Sequence, residues 1–140
     1  MSNRYLVDTS AWIFALRRGS NEAIRARFHE LLRLDQIATC GIVELELVVG
    51  AKDENEVARI QMRLQAAERF PVEEADWATA AHIGYSLRRR GVTVGAPDLL
   101  LAAVAIRNKI VLLHADRDFD LIAAHSTLRA ESLVGLVSGS

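Results

Sequence analysis

Apolar residues along the chain fall into short continuous runs that alternate with longer stretches repeating every three or four positions. The short runs Tyr5-Leu6-Val7, Gln36 to Thr39 and Ile110 to Leu113 predict strands. Helices are predicted over Ala11 to Arg17, Asn21 to Leu34, Gly41 to Val49 and Glu54 to Glu68, the second carrying Ile24, Phe28, Leu31 and Leu32 on one face. Arg69 to Val72 reads as a short extended piece. Asp76 is the expected N-cap of a helix running to Arg90, with Arg88, Arg89 and Arg90 in its last turn and Gly91 as its stop. Pro97 suits the first turn of a helix over Asp98 to Asn108, and a short helix over Asp118 to Ala124 precedes a last strand near Ser132 to Val137.

Short apolar strands alternating with helices imply parallel pairing through right-handed crossovers. The expected fold class is α/β, a three-layer α/β/α domain with a short central parallel sheet. With no internal repeat and no Pro- or Gly-rich linker, residues 1–140 read as one domain.

Composition narrows the class. Hydrophobic residues at 51% and charged residues at 25% describe a globular chain that folds on its own core. The apolar runs fall far short of the roughly 20 residues a membrane span needs, and Met1 to Arg4 shows no secretory leader, so a cytoplasmic protein is expected. Cys40, the single cysteine, has no internal disulfide partner and suits a reducing compartment. A net charge of -1 excludes nucleic-acid binding through overall positive charge, so any such contact is local. All of the 17 basic residues except Lys52 and Lys109 are arginine, and Arg88, Arg89, Arg90 and Arg117 are candidates for a local patch. For the first three, interaction with their own helix C-terminus is the simpler role.

The acidic residues carry the chemistry. Asp8 follows the first strand directly, and Asp116 follows the Ile110 to Leu113 strand after only His114 and Ala115, so both lie where open α/β sheets place their sites. Glu46 sits among Leu45, Leu47, Val48 and Val49, and Asp98 occupies the first turn of its helix. Carboxylates gathered from such distant segments repel one another and tend to take up protons, a penalty that a divalent cation removes. Ligation by oxygen alone selects magnesium or manganese over zinc, for which the 4 histidines lack the spacing.

At these residues the chain resembles the PIN-domain family, and within it the VapC toxins of VapBC toxin–antitoxin systems, over nearly its whole length. The motifs are Leu6-Val7-Asp8-Thr9-Ser10-Ala11-Trp12, Glu46-Leu47-Val48-Val49-Gly50, Asp98-Leu99-Leu100-Leu101-Ala102-Ala103 and His114-Ala115-Asp116-Arg117-Asp118-Phe119. The resemblance implies a magnesium- or manganese-dependent ribonuclease with Asp8, Glu46, Asp98 and Asp116 as catalytic metal ligands. It further implies hydrolysis of RNA to products with a 5′ phosphate, a homodimer, and a VapB-type antitoxin whose C-terminal segment blocks the site.

Glu44 is a competitor of Glu46 but lacks the glycine four residues on, and Asp118 is an alternative to Asp116. Ser10 matches a polar position beside the first aspartate and equally suits a helix cap, whereas Asp120 reads as a solvated residue or local cap. His114 departs from the Thr or Ser that the family commonly places there. Trp12, Phe14 and Leu16 belong to the core or to an interface. Two other readings remain at this stage: a PIN-like interaction module that has lost activity, and a PIN nuclease of RNA processing outside a toxin–antitoxin pair. Haloacid dehalogenase-type phosphotransfer is disfavoured because Ser10 stands where a second aspartate belongs, and receiver domains because the early paired acids are missing.

Overall fold

The computed structural model describes residues 3–17 and 21–138; Met1 and Ser2, part of the segment read for a leader, lie outside them. Five parallel strands, β1 (Tyr5–Val7), β2 (Ile37–Thr39), β3 (Glu68–Arg69), β4 (Val111–His114) and β5 (Ala130–Ser132), form one sheet in the order β3-β2-β1-β4-β5. Helices α1 (Thr9–Leu16), α2 (Glu22–Arg33), α3 (Gly41–Val49), α4 (Glu54–Leu64), α5 (Glu74–Arg89), α6 (Ala96–Asn108), α7 (Arg117–Ala124) and α8 (Val134–Ser138) connect and flank the strands. The expected α/β architecture with a central parallel sheet is therefore present. No helix among the described residues is long and apolar enough to cross a membrane.

The strand order locates the site. From β1 the chain steps outward to β2 and β3, then returns to the other side of β1 for β4 and β5. The order reverses between β1 and β4, and the helices leaving those two strands diverge and open a crevice at their carboxyl ends. Tyr5, Leu6 and Val7 pair with Val111, Leu112 and Leu113, and the Asp8 N–H donates to the Leu113 carbonyl at 2.9 Å.

Leu6, Val7, Leu112 and Leu113 are buried at the centre of the sheet, and α6 contributes an unbroken buried run from Leu101 to Ala105. A helix apolar on most of its surface is held on several sides at once: α6 packs against α5, α7 and β4. Trp12 is core rather than interface, its ring 4.6 Å from that of Phe28 in an edge-on arrangement. Phe14 and Leu16 are half-buried against the same core.

Four boundaries differ from the sequence expectation. Helix α4 ends at Leu64 instead of Glu68, and the extended piece is Glu68–Arg69, paired to Ala38 and Thr39. Helix α5 starts earlier, with Glu73 as N-cap; Asp76 sits inside the first turn and accepts the Glu73 N–H at 2.8 Å. The last strand is Ala130–Ser132, and Val134–Ser138 is helical. Ser132 pairs with His114, the last residue of β4, so the chain beyond has no strand to continue against. Gly91, at φ 81°, ends α5 as expected, with the Val92 N–H donating to the Leu87 carbonyl.

Candidate active site

Asp8 and Asp116 occupy equivalent positions, each the N-cap of the helix that leaves its strand. Asp8 Oδ2 accepts the Ser10 N–H at 3.0 Å and the Ser10 hydroxyl at 2.6 Å, while Asp116 Oδ1 accepts the Asp118 N–H at 2.9 Å. One oxygen of each carboxylate thus fixes a turn, and each group has a second for a ligand. The Ser10 hydroxyl also accepts the Ala115 N–H at 2.9 Å, joining the turn after β1 to the turn after β4. Ser10 is therefore not the cap of α1. It is the tie between the two turns that carry the acids.

Asp98 enters from the first turn of α6, and its carboxylate, with those of Asp116 and Asp118, brings three oxygens within 4.8 Å of one another. Burial, then the charges of Asp8, Asp116, Glu46 and Asp118, push Asp98 up to about 7. Burial also raises Asp8 despite its bonds to Ser10, and the charge of Glu46 adds to that rise. Asp118 is raised by burial and by Asp116. All four acids singled out in the sequence therefore meet in one electrostatic cluster, and Asp118 joins Asp116 in it rather than replacing it.

Glu46 reaches the cluster from α3, where its Oε1 accepts the Thr9 hydroxyl at 3.0 Å. Glu44 turns elsewhere and pairs with Arg69 at 2.6 Å. Two residues along a helix rotate a side chain by about 200°, which is why one glutamate reaches the crevice and the other a surface arginine. The Thr9 bond had no counterpart in the sequence reading, because nothing in the local pattern around Thr9 or Glu46 announces it.

His114 is fully buried, with its ring 5.3 Å from that of Phe119. Its Nδ1 accepts the Asp116 N–H at 3.2 Å, so in the neutral ring the proton sits on Nε2, which lies 3.4 Å from Asp120 Oδ1. Burial lowers the imidazole pKa against the pull of the Asp120 and Asp8 charges, which keeps the ring neutral. Asp120 is exposed, as the sequence suggested, and its approach to His114 Nε2 has no signal in the local pattern. Arg88 and Arg89 lie in the last turn of α5, Arg90 is its C-cap, and Arg89 sits 5.8 Å from the Tyr85 ring. Arg117 is exposed at the first position of α7.

A set of carboxylates in which burial and neighbouring charge raise Asp8, Asp98 and Asp118 fits a hard divalent cation, which is bound through oxygen and relieves the repulsion. A family model described as PIN domain matches residues 5–125. This chain belongs to the PIN-domain family. The PIN domain here is 36% identical over 130 residues to VapC ribonuclease Mb1587 of Mycobacterium bovis, covering 91% of this chain and 97% of that protein. It is 35% identical over 127 residues to ribonuclease VapC21 of Mycobacterium tuberculosis, covering 89% of each. Its fold superposes with a TM-score of 0.76 on VapBC2 from Rickettsia felis bound to a promoter DNA fragment, at 20% identity over 91% of this chain and 97% of that one.

Proposed function

We propose that this PIN-domain protein is the toxin of a type II toxin–antitoxin pair, a magnesium- or manganese-dependent ribonuclease restrained by a VapB-type antitoxin. The observation that carries the reading is the gathering of five acids beyond the carboxyl ends of β1 and β4, where burial and then the neighbouring charges push Asp98 up to about 7. Asp8, Glu46, Asp98 and Asp116 are the catalytic residues and the ligands, with Asp118 as a fifth acid beside them. A magnesium or manganese ion bound there supplies Lewis-acid charge to the phosphodiester and lowers the pKa of water.

The chain's own residues do the positioning. The Ser10 tie keeps the turns of Asp8 and Asp116 in register, and Thr9 donates to one oxygen of Glu46 and leaves the other as a ligand, with Asp116 or Glu46 also orienting the attacking water. In-line attack on phosphorus with departure of the 3′ oxygen yields a 5′ phosphate. The 35–36% identity to VapC ribonucleases over most of the chain supports RNA as substrate and an antitoxin as partner. Cytoplasmic residence accords with the single, buried Cys40. A homodimer is part of the same reading, and the exposed Trp77 and Tyr85, about two turns apart on α5, offer apolar surface for it.

The test is cleavage of end-labelled RNA with and without magnesium or manganese. The expected outcome is cleavage that chelation stops, and that Asp8→Asn and Asp98→Asn each abolish while the far-ultraviolet circular dichroism stays that of the folded protein. Full cleavage by both variants refutes the assignment.

A further inference from the structure

One acid of the cluster, Glu46, lines with Thr9 a groove between α1, α3 and α4. Its floor is apolar, from Ile13, Leu47 and Ile60, and it widens past Leu16 and Gly50 into a second concavity of different character. That second surface carries Arg17, Arg25, Lys52, Arg59 and Arg63 against one acid, Glu56. Glu56 lies 3.6 Å from Arg59. Among the described residues, Arg25, Lys52 and Arg63 form no ion pair.

In a chain whose net charge is -1, five cations gathered on one surface repel one another, and no fold-stabilising acid offsets three of them. Their position relative to the acids has a chemical sense. A nucleic acid entering a crevice of five carboxylates is repelled along every phosphate except the one at the cation, so the strand needs positive charge to either side of the scissile bond. The basic surface is reached from Glu46 by one continuous groove. Its cations are arginines and a lysine on α2, α4 and the segments after α1 and α3, the side chains that contact phosphate oxygens.

We propose that the surface formed by Arg17, Arg25, Lys52, Arg59 and Arg63 is a phosphate-binding track that holds the RNA strand as it leaves the catalytic groove. This rests on the ribonuclease reading and adds to it the path of the substrate. The track supplies affinity without sequence preference, and sequence or structure selection lies with groups nearer the acids.

The experiment compares wild type with the triple variant Arg25→Gln/Lys52→Gln/Arg63→Gln and with Lys109→Glu, a charge change beside the amino end of β4, away from the acids. Binding of a labelled single-stranded RNA is measured by anisotropy in EDTA across about 50 to 200 mM salt, because each phosphate contact contributes about 0.7 to the slope of log K against log salt. The triple variant is expected to lose about 2 from that slope and to bind about tenfold or more weakly at the lower salt. Its KM for a long RNA rises in proportion while kcat stays within about twofold. Its melting temperature is unchanged or higher, because like charges have been removed. Lys109→Glu keeps the wild-type slope.

An unchanged slope in the triple variant, with wild type cleaving RNA, overturns the track and leaves the ribonuclease reading standing. A wild type that neither binds nor cleaves RNA under any divalent ion overturns both. A triple variant that binds RNA normally but loses its grip on an acidic antitoxin peptide assigns the surface to a protein partner and also overturns the track.

Discussion

The Nδ1 atom of His114 accepts the backbone N–H of Asp116 at 3.2 Å, so a buried imidazole sets the turn from which a candidate metal ligand projects. The ring fills space against Phe119, and its other nitrogen faces Asp120. This accounts for the departure from Thr or Ser: His114 supplies an acceptor to the turn from within the core.

His114→Asn keeps an acceptor at the same distance from the backbone, and His114→Leu keeps the bulk without it. We expect His114→Asn to retain RNA cleavage within about tenfold and His114→Leu to lose more, with a metal requirement shifted to higher concentration, since the unpaired Asp116 N–H costs about 1–3 kcal/mol. Metal titrations of cleavage distinguish the two. Equal metal requirements would show that the imidazole only fills space.

The acids make the metal-free protein sensitive to pH. Asp98 is raised from an ordinary carboxylate value to about 7, so the folded state binds a proton that the unfolded chain releases near pH 4. Its contribution is fully present below the unfolded pKa and is lost as pH rises through the folded one. The melting temperature in EDTA should therefore fall between about pH 4 and pH 7 relative to Asp98→Asn, which removes this component. Asp8→Asn should likewise raise the metal-free melting temperature at pH 7, and magnesium or manganese should restore wild type. A flat pH profile common to wild type and Asp98→Asn would show that burial and the neighbouring acids do not raise Asp98.

Asp76 and Arg107 join α5 to α6 behind the site. Arg107 Nε and Nη2 donate to the two oxygens of the buried Asp76 at 2.9 and 3.0 Å, and Nη2 also reaches the Pro71 carbonyl at 2.8 Å. Burial opposes the charge on Asp76, but the Arg107 bonds and the Glu73 N–H outweigh it and lower its pKa. Arg107→Met is expected to cost about 3 kcal/mol at pH 7 by stranding that carboxylate. The lowered pKa places the wild-type benefit above the unfolded value, so the difference between the proteins should shrink as pH falls below about 4. Urea denaturation at the two pH values measures it.

Ser10→Ala removes the single hydroxyl that donates to Asp8 and accepts from Ala115. A loss of about 1–3 kcal/mol follows from the stranded Ala115 N–H. Cleavage should fall at saturating RNA, because the turns of Asp8 and Asp116 lose their tie. Single-turnover kinetics beside a thermal melt separate the two effects, and unaltered single-turnover rates would limit Ser10 to a structural role.

Much of this architecture was legible in the residues. Tyr5-Leu6-Val7 and Ile110 to Leu113 are apolar on both faces, as strands buried in a parallel sheet must be, and polar residues follow each at the crevice. The placement of Asp8 and Asp116 beyond the strands followed from that pattern, whereas the choice of Glu46 over Glu44 and of Asp116 over Asp118 rested on the family motifs. What escaped depended on partners remote in sequence. Leu133, Val134, Leu136 and Val137 look like a strand, but β4 ends at His114 and offers Val134 nothing to pair with. Asp76 caps its helix from the first turn and not as the N-cap itself, and its pairing with Arg107, a helix away, leaves no local trace. The Ser10 and Thr9 bonds are invisible for the same reason.

The strand order has a consequence in time. β1 is the first strand to be synthesised and the central one in the finished sheet, yet its partner β4 and the acid Asp116 come more than 100 residues later. A ribosome that has made α1 through α5 has exposed Asp8 and Glu46 with no Asp98 or Asp116 to meet them. Pairings of such wide separation close late, after the loop-closure entropy of the intervening chain has been overcome. The set of acids is therefore incomplete until nearly all of the chain has emerged, and on the proposed function an antitoxin has that whole interval in which to be ready.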